Sequence, residues 1–228
     1  MDSVLVVGAR KKSLGDAIAI RLRPHFKVTT AGVTDEDFVV EDLRKPWLID
    51  QVIEYRRWQH VICTVGVNEE TAFPDTSLNV FQSDMIGQFN VNCVVPMMLL
   101  SAWINDYRSL PSPSDPCHFV AISSNSAQVP RSKSMAYCAS KAALSHSIRC
   151  AARSLPPQFV AWALEPGWIQ GTPMSSEVHN RLPDTVSHMR GGAEADKNDL
   201  ASILKHNLML MQPRVLNGMT IRLDGGEQ

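Results

Sequence analysis

The sequence predicts an α/β fold on a doubly wound, largely parallel sheet, and three observations carry that expectation. The first is the opening: the apolar run Ser3 to Val7 breaks at Gly8, and a helical pattern (Leu14, Ala17, Ile18, Leu22) starts near Ser13 and stops before Pro24. The second is the run His118-Phe119-Val120-Ala121-Ile122, a buried strand that ends in Ser123-Ser124 and leads to a helix with Tyr137 and Lys141. The third is that strand and helix patterns keep alternating, which favours a parallel sheet with helices on its faces.

The remaining elements follow in order. Phe26 to Ala31 reads as the second strand. Phe38 to Leu43 begins too soon after it for a helical crossover, which ordinarily takes a dozen or more residues, so a short loop joins them. Trp47 to Trp58 is predicted helical through Leu48, Val52 and Ile53, and His60 to Cys63 is the fourth strand, with a turn ending at Gly66. Ser77 to about Tyr107 has the pattern of one long helix, with Gly87 and Pro96 as points for a bend. Ser109 to Pro116 is a Pro- and Ser-rich surface loop. The Tyr137 helix keeps an apolar stripe at Leu144, Ile148, Ala151 and Leu155 until Pro156-Pro157 stops it. Phe159 to Leu164 is the sixth strand, Asp199 opens a helix to Met211, and Gly218 to Gly226 holds the last strand. Ser175 to Gly192 is polar, lacks a core pattern and reads as a lid. No repeat or linker divides the chain, so residues 1–228 are expected to form one domain.

Bulk properties narrow the function classes. With 44% hydrophobic and 20% charged residues and a formal net charge of −1, the chain offers no electrostatic argument for nucleic acid or an anionic membrane. No basic region precedes the first apolar run, so no signal peptide is expected, and no apolar run approaches bilayer length. The five cysteines are never spaced Cys-x-x-Cys and read as buried thiols. The seven histidines include no His-x-x-x-His pair, so no metal is expected. A cytoplasmic location is the default.

Chemistry concentrates around Tyr137. Spaced i, i+4 on a helix, Tyr137 and Lys141 share a face, and an ammonium beside a phenol favours the phenolate, lowering the tyrosine pKa toward neutrality. A surface tyrosine stacked over a lysine stem would leave the same spacing. Ser124 adds weight because it lies at the carboxyl end of a strand, where open parallel sheets hold ligands, within reach of the same small carbonyl group. The turn Gly8 to Gly15 suits a phosphate at a helix N-terminus, though an ordinary strand–helix loop with a Ser13 cap reads the same. Arg10, Lys11 and Lys12 would favour a 2′-phosphate, and equally would serve as solvated loop charges.

Ser124, Tyr137 and Lys141, in this order and at about this spacing, resemble the short-chain dehydrogenase/reductase family. The likeness runs through the whole chain: Val91-Asn92-Cys93 resembles its asparagine segment, and Glu165-Pro166-Gly167-Trp168-Ile169-Gln170-Gly171-Thr172 its Pro-Gly loop. The resemblance implies a Rossmann-like, seven-stranded sheet, a nicotinamide cofactor and hydride transfer to or from a carbonyl or alcohol, usually in a homodimer or homotetramer. It assigns catalysis to Ser124, Tyr137, Lys141 and Asn92, with Asn90 as a competitor for Asn92. It assigns cofactor binding to Gly8, Arg10, Lys11, Lys12, Ser13, Leu14, Gly15, Asp42, Leu43, Val65, Gly66, Tyr137, Lys141, Pro166, Gly167, Ile169 and Thr172. Asp42 would accept from the adenine amino group, its other reading being a turn or cap residue. The loop cations weigh toward NADP(H) over NAD(H), with Asp35 as a rival contact to the ribose. Two features depart from the family: the glycine turn is longer, with Ser13 at the middle glycine, and Cys63-Thr64-Val65 replaces its asparagines. They keep open a non-catalytic NAD(P) sensor and an enoyl reductase, although the latter usually spaces tyrosine and lysine further apart. Met174, Met189, Trp168 and Val129 point to a partly hydrophobic small-molecule substrate.

Overall fold

Period-two burial on both faces makes the sheet. In β1 (Ser3–Val7) Leu5 and Val7 enter one hydrophobic cluster, Val4 and Val6 another, and all four are fully buried. The computed structural model describes residues 2–34, 37–69, 73–108, 113–181, 196–210 and 213–224. Its strands are β1, β2 (Lys27–Gly32), β3 (Phe38–Val39), β4 (His60–Cys63), β5 (Cys117–Ile122), β6 (Phe159–Pro166) and β7 (Thr220–Leu223). They form one seven-stranded sheet in the order β3-β2-β1-β4-β5-β6-β7, every neighbour parallel. This is the doubly wound, Rossmann-like sheet the sequence predicts.

One face packs on α1 (Leu14–Leu22) and α7 (Lys197–Leu210), where Ile18 and Leu22 meet Leu204 in the cluster of Val4, Ile62 and Trp162. On the other face lie α2 (Pro46–Glu54), α4 (Val95–Arg108) and α5 (Met135–Ala152), with α3 (Leu78–Phe89) against α5. Helix α6 (Pro173–Arg181) follows β6, and the four-residue α8 (Pro213–Leu216) packs on β6. The chain leaves β1 toward β2 and β3, then returns to the other side of β1 as β4. That reversal opens a crevice beyond the carboxyl ends of β1 and β4, the usual ligand position in such sheets.

Several boundaries differ from expectation for physical reasons. The long helix is interrupted by a π-helical turn over Asn90–Val94, not at Gly87 or Pro96. There the wider turn accompanies Asn92 pointing inward, where its amide bonds the Val67 backbone. Helix α2 stops at Glu54, and Trp58 leaves it to be buried, its indole N–H donating to the Val52 carbonyl at 3.1 Å. The short β2–β3 connection is closed by Asp37, whose carboxylate accepts from the Thr30 amide and hydroxyl. The expectation that no apolar run reaches bilayer length needs correction. The continuous helical stretch Leu78–Tyr107 is 30 residues long and holds an 18-residue window with a mean hydropathy of 1.3, enough by length and composition. Polar residues scattered through it hide that length in the sequence; in the fold Leu99, Leu100 and Trp103 face the core. Asp35, Met189, and the last strand's Gly225 and Gly226 lie outside the described residues, as does the lid beyond Arg181.

Candidate active site

The crevice is a cavity of about 710 Å³ walled by the ends of β1, β4, β5 and β6 and by the helices that follow them. Its floor begins at the β1–α1 turn. Gly8 has φ +88°, and the left-handed residue between it and the helix is Lys12 (φ 66°), so Ser13 in the middle-glycine position has no need to be glycine. Ser13 is extended and caps α1, its hydroxyl accepting from the Asp16 amide at 3.2 Å. Gly15 is obligatory for a different reason: a Cβ there would stand 2.5 Å from Thr64 Oγ1 and 2.8 Å from the Gly8 carbonyl.

Thr64 occupies a position where the resemblance expects asparagine. Its hydroxyl lies 2.9 Å from the Val7 and Gly8 carbonyls, and its amide donates to Val7 at 2.8 Å, so β4 still holds the β1 turn. The altered turn is thus supported by a hydroxyl in place of an amide.

At one end the cavity is lined by Gly8, Arg10, Ser13, Leu14, Gly15, Gly32, Asp42, Leu43 and Arg44. Arg44 grips Asp42 through two side-chain bonds of 2.9 and 3.0 Å, which holds that carboxyl below the usual carboxylate range. Arg10 lies 3.7 Å from Glu177 on α6. Lys11 and Lys12 are exposed and do not line the cavity. The Lys12 carbonyl accepts from Lys197 Nζ at 2.9 Å, directing that part of the turn toward α7. The expected trio of cations thus reduces to Arg10, joined by Arg44.

At the other end stand Ser124, Tyr137 and Lys141, with Val65, Gly66, Pro166, Gly167, Ile169 and Thr172 between the two ends. Ser124 follows β5, its hydroxyl accepting from the Ser126 amide at 3.1 Å and hydrogen-bonded to Tyr137. Its neighbour Ser123 instead bonds Ser145 Oγ at 2.8 Å and the Lys141 carbonyl at 3.1 Å. Helix α5 presents Tyr137 and Lys141 on one buried face, with Lys141 Nζ 5.9 Å from the phenol ring centroid and 2.9 Å from the Ile122 carbonyl it donates to.

The expected depression of the tyrosine pKa is not what this site shows. Burial raises the Tyr137 phenol above its ordinary 10, and the Ser124 bond offsets this only in part. Burial also lowers Lys141 from 10.5 to about 8, against smaller upward effects of Cys63 and Cys93. Low polarity penalises both charges and outweighs the attraction expected between them.

Asn92 does not line the cavity; it sits fully buried behind Gly66. Its Oδ1 accepts from the Val67 amide at 2.8 Å, and Nδ2 donates to the Val67 carbonyl and Ser140 Oγ, both at 2.9 Å. Gln88, one helical turn earlier and equally buried, clamps Glu69 in the same two-point manner. Gly66 lies close beside them: a Cβ there would come within 3.1 Å of Lys141 Nζ and 3.4 Å of Asn92 Oδ1, so those groups would have to give way. Gly167 is needed, as its Cβ would stand 2.9 Å from Asp224 Cα. Thr172 lines the wall and caps α6, accepting from the Ser175 amide at 3.2 Å. Trp168 and Met174 line the cavity, whereas Val129 does not.

Gln88, Arg44 and Arg131 escaped the sequence reading, and Thr64 entered it only as a departure from the family's asparagines. Gln88 had a signal in its i, i+4 spacing to Asn92 and Arg44 in its nearness to Asp42; Thr64 and Arg131 had none short of the fold. The set fits an extended dinucleotide. Two glycines and a capped helix N-terminus suit phosphates, and glycines at 66 and 167 leave the backbone open at the reactive end.

Comparisons with known proteins bear on the fold and the family. The fold matches a 3-oxoacyl-[acyl-carrier protein] reductase from Brucella melitensis in complex with NAD (TM-score 0.82, 19% identity, covering 99% of this chain and 96% of the other). It also matches a 4-hydroxyisoleucine dehydrogenase complexed with NADH (TM-score 0.80, 20% identity, 99% and 98% covered). A short-chain type dehydrogenase/reductase from Mycobacterium ulcerans is similar (TM-score 0.81, 17% identity, 99% and 89% covered). No curated protein matches the chain. Residues 3–182 match the family described as short chain dehydrogenase, and the chain belongs to that family of oxidoreductases.

Proposed function

We propose that this protein is a nicotinamide-dependent reductase or dehydrogenase acting on a small carbonyl or alcohol, with NADP(H) preferred over NAD(H). The observation that carries the reading is the meeting of Ser124, Tyr137 and Lys141 at one end of a cavity whose other end suits a nucleotide. A bound nicotinamide supplies or accepts the hydride. Gly8, Ser13, Leu14 and Gly15 would hold the phosphates, Asp42 and Leu43 the adenine, and Lys141 the ribose beside the nicotinamide. Val65, Gly66, Pro166, Gly167, Ile169 and Thr172 would border the nicotinamide itself. Arg10 and Arg44 support the NADP(H) preference, because cations at that end favour a 2′-phosphate.

In the reducing direction Ser124 holds the carbonyl oxygen and Tyr137, kept protonated by burial, donates its proton to that oxygen. Asn92 fixes the Val67 edge beside the cavity, and a water delivering a proton through Lys141 would reload the tyrosine. Tyr137→Phe tests the reading: turnover of a ketone panel with NADPH should fall by about a hundredfold or more, while NADPH affinity stays within about twofold. Wild-type rates in that variant would overturn the assignment.

A further inference from the structure

We propose that Glu165 is a positioning residue of this site, tying the turn that carries Ser124 to the helix that carries Tyr137 and Lys141. The inference rests on the reductase reading above and adds to it a residue outside the cavity lining.

Glu165 stands near the end of β6, directly before Pro166 and Gly167 of the cavity wall, and is 1% exposed. Its partners are neutral and come from two other segments. Oε1 accepts from Ser145 Oγ at 2.7 Å, and Oε2 accepts from the Gln128 side-chain amide. Ser145 lies one turn after Lys141 on α5 and is buried. Gln128 closes the short 3-10 turn Asn125–Ala127 that Ser124 caps at its start. One carboxyl group thus joins β6, α5 and the Ser124 turn behind the reacting residues. Taking a carboxyl out of water is costly, and an apolar side chain of the same size would fill the space at lower cost, so packing alone gives no reason for it.

The direction of the hydroxyl protons follows. Ser145 has one proton, and it goes to Glu165. The 2.8 Å contact between Ser145 and Ser123 therefore uses the proton of Ser123, whose other acceptor is the Lys141 carbonyl at 3.1 Å. Ser123 lines the cavity beside Ser124, yet both of its acceptors lie inward. Of the two adjacent serines, Ser124 is the one left to Tyr137 and the substrate.

The test compares Glu165→Met, Glu165→Gln and Gln128→Leu with wild type, with thermal melts to confirm that each folds. Methionine fills the same space and removes both acceptors. Glutamine keeps the tie with the proton order reversed. Its carbonyl accepts from Gln128 and its amide donates to Ser145, so Ser145 donates to Ser123 and Ser123 to the Lys141 carbonyl. Gln128 is exposed, so its replacement cuts one bond without opening the core. In turnover of the ketone panel with NADPH, Glu165→Met should lose about tenfold or more in kcat, with KM for NADPH within about twofold. Gln128→Leu should lose about threefold or more, and Glu165→Gln should stay within about twofold of wild type. Hydrogen exchange reads the tie without turnover. The amides of Ala127, Gln128 and Val129, bonded within the turn at 2.9 to 3.0 Å, should exchange about tenfold faster in Glu165→Met and at the wild-type rate in Glu165→Gln. Should Glu165→Met fail to fold, Gln128→Leu decides by the same two readouts. Wild-type kcat and exchange in Glu165→Met, or a Glu165→Gln variant as impaired as Glu165→Met, overturns the positioning role and leaves the reductase reading standing. If wild type reduces no ketone, that reading falls, and the exchange comparison alone decides whether Glu165 holds the turn.

Discussion

Replacing Lys141 with methionine is expected to make the protein more stable and inactive. The ammonium is 3% exposed, and its burial lowers the pKa from 10.5 to about 8. At neutral pH that difference amounts to about 3 kcal/mol of stability withheld from the native state. Methionine keeps an unbranched stem of similar reach, but leaves the Ile122 carbonyl without its 2.9 Å donor, a loss of about 1 kcal/mol. The net gain at pH 7 is about 2 kcal/mol. The sign follows from proton binding. Between pH 8 and 10.5 the unfolded chain holds this proton and the folded chain does not, so wild-type stability rises with pH across that window. It is lost again as pH falls through 8. The variant lacks this dependence, so its advantage should be full at pH 7 and vanish by about pH 10. Urea denaturation of both proteins at pH 7, 8, 9 and 10 reads the difference, with equal m-values as the check that the unfolded states match. A variant less stable than wild type at pH 7, or an advantage that stays constant to pH 10, would refute the reasoning.

Two further outcomes follow from buried polar groups elsewhere. Asn92→Leu should cost about 2–5 kcal/mol in urea denaturation, because the Val67 N–H and carbonyl both lose their partner. Gln88→Leu should cost less, since Glu69 is exposed and water can replace the amide; equal costs would contradict this. The rings of His60 and His118 lie 5.3 Å apart, tilted at 52°, and burial lowers their pKa from 6.5 to about 3 and about 4. Both folded pKa values lie below the unfolded value, so their share of stability is present above pH 6.5 and lost as pH falls toward 4 and then 3. Thermal melts from pH 7 to 4 should show a shallower acid decline in His118→Leu than in wild type, and an unchanged slope would count against the histidine pair.

Local features were legible in the sequence; features that arise only from packing were not. The buried strand His118 to Ile122 and the i, i+4 pair on α5 depend on neighbours along the chain, so the meeting of Ser124, Tyr137 and Lys141 at one cavity could be anticipated. The π turn could not, because widening one turn barely changes the apolar pattern around it. Lys11 and Lys12 read as cavity cations, but the left-handed backbone at Lys12 turns that part of the loop outward. The support that Thr64 gives the β1 turn depends on β4 lying beside β1, which no local spacing encodes.

The direction of the Tyr137 shift has the same origin, and it changes how the pair can work. An i, i+4 spacing says that an ammonium lies near a phenol, but not how much water both lose. Here the same burial that raises the phenol above 10 lowers the ammonium to about 8. Their order is therefore inverted relative to free side chains, and a proton passing from Lys141 to a tyrosine anion moves downhill. A site that must give up a proton and be reloaded gains from that ordering: the donor stays protonated until the carbonyl oxygen needs it, and the lysine behind it is the stronger acid. The arrangement works because burial acts on both groups together.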